Sequence, residues 1–184
     1  MTNLAGRAAL CVLASGVLAC ASLSAQQTVP TFKQTFLYQL GDTEKKLVSL
    51  AEAVPQEKYA WRPGDGVRSF SEVFMHEAGS NVFFMTFVGV KPPASFDPKG
   101  EKTVTEKEKI VQAMKDSFAH VRTAVSAMTE EDLQKSGKFM GGRTMTYQNI
   151  LFVMSDHMHE HLGQLIAYAR VNGITPPWSA KGTD

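Results

Sequence analysis

The chain has 184 residues, with 19 Lys and Arg against 18 Asp and Glu. The formal net charge is +1 and there is no basic run, so nothing provides an electrostatic footprint for nucleic acid or an anionic membrane. Both cysteines, Cys11 and Cys20, fall in the first 25 residues, MTNLAGRAALCVLASGVLACASLSA. There a lone Arg7 precedes an apolar run from Ala8 to about Leu18 and then small residues, the layout of a secretory signal peptide cut after Ala25. The run falls short of the roughly 20 apolar residues a membrane span needs. The expectation is an exported protein, periplasmic or extracellular. A lipoprotein anchored through Cys20 is the lesser alternative, since Val17, Leu18, Ala19 and Cys20 only loosely follow a lipobox. A mature chain of residues 26–184 then carries no thiol, which excludes cysteine nucleophiles, thiolate metal sites and disulfide scaffolds together. Its length suits a single domain with a core of its own.

From Thr31, the residues Phe36, Leu37, Leu40, Leu47, Leu50 and Val54 recur at helical spacing. Thr31 and Gln34 can form a capping box, and Pro55 stops the helix. The stretch PQEKYAWRPGDGVR, with Tyr59 and Trp61, reads as an ordered loop. A second helix starts at Ser69, with Glu72 as capping partner, and runs to about Val88; its stripe holds Val73, His76, Ser80, Phe83 and Phe87. The proline-rich GVKPPASFDPKG separates the halves and is long enough to cross the end of a bundle. Thr103 and Glu106 are predicted to open a third helix with the stripe Ile110, Val111, Met114, Phe118, Val121, Val125 and Met128. Thr129 to Asp132 suggest a short extra turn, and KSGKFMGGRTMT a loop or small hairpin. The last helix runs from near Thr146 to Asn172, where Gly173 is the natural left-handed cap and Pro176 and Pro177 follow. Four long helices predict an all-α four-helix bundle.

The stretch SDHMHEHLGQ holds three of the five histidines. His157 and His161 lie one turn apart in the buried stripe with Met154, Gln164 and Tyr168, so their side chains point the same way and can ligate one ion. His159 is roughly 200 degrees round from His157 and is expected on the surface. A single imidazole on an apolar face is more often a core residue satisfied by one hydrogen bond, but two in one stripe leave several buried ring nitrogens to partner. A third ligand must come from another helix. His76 is the candidate, because His120 lies off its helix's stripe and is expected to be solvent-exposed. Three neutral nitrogens with coordination positions left open are typical of catalytic zinc, the metal expected first, although nickel, iron or manganese would accept the same set. Asp156 and Glu160 flank the pair and are the nearest acids for a supporting role, although acidic residues on a helix exterior are usually just solvated. A haem or copper reading would rest on Met75, Met154 and Met158, but no CxxCH is present and methionines at helical spacing are more often core filler.

The order of Trp61-Arg62-Pro63, then RSFSEVFMH, then HMHEHLGQ, then YARVNGITPP resembles the DinB/YfiT-like superfamily of putative metalloenzymes over nearly the whole mature chain. The resemblance implies a DinB-like bundle of up-down-down-up order. It also implies a divalent metal on three histidines, matching His76, His157 and His161 here, with Gln164 kept as a residue beside the ligands. The family often has His-His-Arg before its Gly-Gln, where this chain has Glu160, His161 and Leu162. Relatives of known activity are mostly thiol-dependent, transferring small thiols to electrophiles or isomerising maleylpyruvate. Export disfavours a small-thiol cofactor, since the exterior is oxidising. The expected function is therefore a metal-dependent enzyme, hydrolase or thiol-transferase, acting on a small-molecule substrate that the sequence does not identify. The alternative is a non-enzymatic bundle with a structural metal. Nothing in the sequence decides between a monomer and a homodimer.

Overall fold

The computed structural model describes residues 29–180. The expected signal peptide, its cleavage after Ala25 and the Cys20 anchor lie outside the described residues. Four long helices form the body: α1 (Phe32–Ala53), α2 (Phe70–Phe87), α4 (Lys107–Ala127) and α6 (Tyr147–Val171). Two short helices, α3 (Gly100–Thr103) and α5 (Glu130–Gln134), and a two-stranded hairpin of β1 (Ser136–Lys138) and β2 (Thr144–Thr146) complete the fold. The helix starts follow local chemistry. Thr31 with Gln34, Ser69 with Glu72, and Thr129 with Asp132 all form reciprocal capping boxes, and Thr146 accepts from the Asn149 N–H. At the far end of α6, Gly173 takes φ 73° and Ile174 N–H bonds back to Ala169.

Each long helix packs against two neighbours, α1 and α2 both touching α4 and α6. Side-chain contacts fix the directions. Lys107 Nζ at the start of α4 donates to the carbonyls of Glu52 and Val54 at the end of α1, and Lys33 Nζ at the start of α1 donates to Met128 just past α4, so these two are antiparallel. Tyr168 near the end of α6 donates to the Arg68 carbonyl just before α2, and Phe84 late in α2 touches His157, so α2 and α6 are antiparallel as well. Tyr59 in the α1–α2 loop bonds to Ala51 near the end of α1 and accepts from the Ser71 N–H at the start of α2, so these two ends meet, α1 and α2 are antiparallel, and α2 and α4 are parallel. This is the up-down-down-up order.

Parallel neighbours need a long return path, and residues 88–106 supply it. The segment returns along the flank of α2, where Gly100 packs against Met75 and Glu101 reaches His76. Thr103 does not open the third long helix: it ends α3, its hydroxyl donating to the Lys99 carbonyl, and α4 starts after Glu106, which makes no side-chain cap. Helix α2, flanked by α4, α6 and the crossover, is buried nearly all round, Phe70, Val73, Phe74 and Met85 being fully enclosed. Phe83, expected in the buried stripe, is 49% exposed.

The stretch left open as loop or hairpin is a hairpin, with Gly137 opposite Met145. A side chain at Gly137 would sit 2.8 Å from the Phe87 carbonyl oxygen, so glycine is what allows the hairpin to close against the end of α2. Phe139 at its tip packs on Phe84 and Phe87. No helix among the described residues is long and apolar enough to cross a membrane.

The loop between α1 and α2 is locked by Tyr59, whose hydroxyl donates to the Ala51 carbonyl at 2.7 Å within the core. Burial holds this phenol above its usual range, with Glu108 and Glu52 adding to the effect, so it stays a neutral donor. Tyr59→Phe is expected to cost about 1–2 kcal/mol in a denaturant titration, because a buried carbonyl loses its partner. An unchanged midpoint would show that the bond contributes nothing net.

Candidate metal centre

Near the middle of α2, His76 faces His157 and His161 from α6. The ring centroids are separated by 5.3 Å (His76 to His157), 4.8 Å (His76 to His161) and 4.5 Å (His157 to His161). One ring nitrogen from each lies within 4.8 Å of the others, and all three rings are half-buried. The i to i+4 spacing on α6 and the antiparallel contact with α2 are enough to bring them together.

What surrounds the rings sets their orientation. His76 Nδ1 donates to Glu101 Oε2 at 2.9 Å, and His161 Nδ1 donates to Gln164 Oε1 at 2.8 Å. Both oxygens can only accept, so each Nδ1 is the donor and the Nε2 of the neutral ring is left as the nitrogen with a lone pair to offer. His157 Nδ1 faces Glu77 Oε2 at 3.3 Å, too poorly aligned for a hydrogen bond. Ser80 Oγ lies 3.5 Å from His76 Nε2.

The outer contacts form a continuous chain of polar contacts. Glu101 Oε1 accepts from Arg68 Nε at 2.9 Å; the Arg68 carbonyl accepts from Tyr168 Oη at 3.1 Å; Tyr168 Oη accepts from Gln164 Nε2 at 2.8 Å. This chain of contacts thus joins His76 to His161 through residues of the loop before α2, the crossover and α6. Burial lowers the His76 pKa, and Arg68 and His161 add to that, outweighing the bond to Glu101. His76 is therefore neutral at pH 7. Glu101 is pushed up by burial, but the bonds from Arg68 and His76 bring it below the usual carboxylate range, so it is ionised.

The two acids nearest the pair in sequence are solvated, as acidic residues on a helix exterior usually are. Asp156 and Glu160 are exposed on α6, whereas Glu77 and Glu101 contact the rings. Glu77 could have been suspected from its place beside His76 on an apolar helix. Glu101 has no local signal, because only the path of the crossover puts it there. His159 is exposed as expected, its Nδ1 against the Ser155 carbonyl and its Nε2 3.4 Å from Thr43 on α1. His120, expected to be exposed, is half-buried; its Nε2 is enclosed without a partner, and burial lowers its pKa. Neither joins the cluster.

Residues 39–165 match the family model of the DinB superfamily. The chain is 24% identical over 128 residues to the uncharacterised protein YjoA of Bacillus subtilis, covering 68% of this chain and 81% of YjoA. A DinB-like protein of Bacillus cereus superposes with a TM-score of 0.68 at 22% identity, over 79% of this chain and 93% of that one. YfiT of Bacillus subtilis, described as a probable metal-dependent hydrolase with an unusual four-helix bundle topology, superposes with a TM-score of 0.62 at 16% identity, over 82% and 93%. With the family match spanning most of the chain and the bundle topology shared, this protein belongs to the DinB superfamily.

Proposed function

We propose that His76, His157 and His161 hold a divalent transition-metal ion through their Nε2 atoms and that the protein is a metal-dependent hydrolase, exported after loss of residues 1–25. The observation that carries the reading is the shared orientation of the rings: each Nδ1 faces a side-chain oxygen, leaving the Nε2 atoms for a common ligand. Glu77 supports it independently. Its carboxyl is 0% exposed, and neither oxygen has a hydrogen-bond partner. Such a group is costly in an apolar core unless a cation stands nearby, and the one ring it touches would be a ligand of that cation.

Zinc is the first choice for this donor set, with nickel, iron and manganese compatible. When bound, the ion supplies Lewis acidity, the chemistry that makes water nucleophilic at neutral pH. The chain's residues do the positioning. Glu101 and Gln164 hold His76 and His161 in one tautomer, the ionised Glu101 strengthens His76 as a donor, and Arg68 keeps Glu101 in place. Hydrolysis needs only water, which suits an exported enzyme better than thiol transfer does, and YfiT's description as a probable metal-dependent hydrolase points the same way.

Metal analysis of the purified mature protein should find a transition metal at about one equivalent, lost in His157→Ala and His161→Ala. Affinity should fall as pH drops through the histidine range, since protons compete for the same nitrogens. A protein that binds no transition metal, with a stability that chelators leave untouched, sinks the site. Given metal, turnover in a screen of esters, amides and thiol acceptors separates a hydrolase from a transferase. No turnover anywhere would favour a structural ion pinning α2 to α6. Glu77→Met should act with opposite signs in two measurements. It should stabilise the chelator-stripped protein by on the order of 1–3 kcal/mol by removing an unpartnered buried group, and it should weaken metal binding by about 10–100-fold.

A further inference from the structure

Beside the histidine cluster, a cavity of about 690 Å³ opens between α2, α4 and the crossover. His76, Ser80 and Glu101 stand in its wall; the rest is mainly apolar, with Met75, Val82, Phe83, Phe96 and Val104. Its volume falls within the roughly 300–1,000 Å³ of small-molecule pockets.

A glycine marks its floor. Gly79, one turn after His76, sits inside α2 in helical conformation, where glycine is the poorest choice apart from proline. The fold provides no reason for it: an added Cβ would meet nothing within 4 Å, unlike at Gly100 or Gly137. What a side chain there would fill is the cavity. Phe83, the half-exposed aromatic of α2, stands in the same wall. The charged lining is lopsided. Of its charged groups, Glu101 is already paired with Arg68 and Lys109 with Glu106, which leaves the carboxylates of Asp97 and Asp116 to set the sign of the wall.

From this geometry we propose that the cavity binds the apolar body of a neutral amphiphile, an alkyl or aryl ester or amide, with its polar end toward Ser80 and His76, and that the acidic lining rejects free carboxylates. The fate of the polar end rests on the metal-site reading; the pocket itself stands on the cavity, Gly79 and the charges.

Calorimetric titration with N-butyl-, N-hexyl- and N-octylacetamide tests it on both chelator-stripped and metal-loaded protein. Affinity should climb by up to about fourfold per methylene as apolar surface is buried. N-octylacetamide should bind at least tenfold more tightly than octanoate. Gly79→Phe from α2 and Ala113→Phe from α4 should each cut octyl binding at least tenfold, while Gly79→Ala keeps it and raises the thermal midpoint. Wild-type protein that binds none of the amides, a flat chain-length series, or filled variants that bind as wild type would overturn the pocket. Octanoate binding as well as the amide would overturn the charge argument. If one filled variant fails to fold the other decides, and if both fail the wild-type chain-length series does. Because stripped protein should bind the amides too, absence of metal and absence of the pocket read out separately.

Discussion

Helices α2 and α4 run in the same direction, and much of the candidate site follows from that constraint. Two parallel neighbours cannot be joined by a tight turn, so the chain must travel back along the bundle before α4 can begin. That return segment lies on the flank of α2, lays Glu101 against His76 and roofs a cavity. With α4, α6 and the crossover around it, α2 has almost no solvent face, which is why an ordinary-looking helix residue such as Glu77 ends up fully enclosed. An up-down-up-down bundle of the same helices could use short loops and would have no such roof.

The hydrogen-bond network from His76 through Glu101, Arg68, Tyr168 and Gln164 to His161 makes the site a property of the tertiary fold rather than of α6 alone. Arg68 is its hub, using its side chain toward the crossover and its backbone carbonyl toward α6. Arg68 and Glu101 pair as ions, and Tyr168 and Gln164 each both donate and accept, so the interior of this part-buried network is satisfied, the condition under which such a network rigidifies its surroundings, while the two end histidines keep Nε2 to offer. His157 stands outside it, facing Glu77, a fully buried acid without a hydrogen-bond partner.

Legibility in the sequence tracked locality. Caps at Thr31, Ser69, Thr129 and Thr146 and the shared face of His157 and His161 depend on neighbours within one turn, and these were readable. Pairing His76 with them needed only its place in an apolar stripe and a bundle geometry. The remaining features depend on the route of the chain. Glu101 could not be assigned because a loop has no periodicity to say what it touches. Phe83 was misplaced because a helix buried on nearly every side has no single stripe to read. His120 was expected in solvent because its angle on α4 says nothing of what packs over it. The start of α4 falls after Glu106 rather than at Thr103, since Thr103 closes a separate turn at Gly100–Thr103.

The crossover also separates two kinds of change open to this fold over evolutionary time. The three histidines sit on helices whose positions are fixed by core packing, whereas the roof over the cavity is a loop, the kind of element that accepts insertions and substitutions at little cost. Homologues could diverge in what they accommodate by rewriting residues 88–106 while the helix-borne imidazoles stay where they are. One tether limits that freedom: a rewritten loop must still deliver an acceptor to His76 Nδ1, the task Glu101 performs here. Covariation between a carboxylate in this loop and the arginine just before α2 would be the historical trace of that limit.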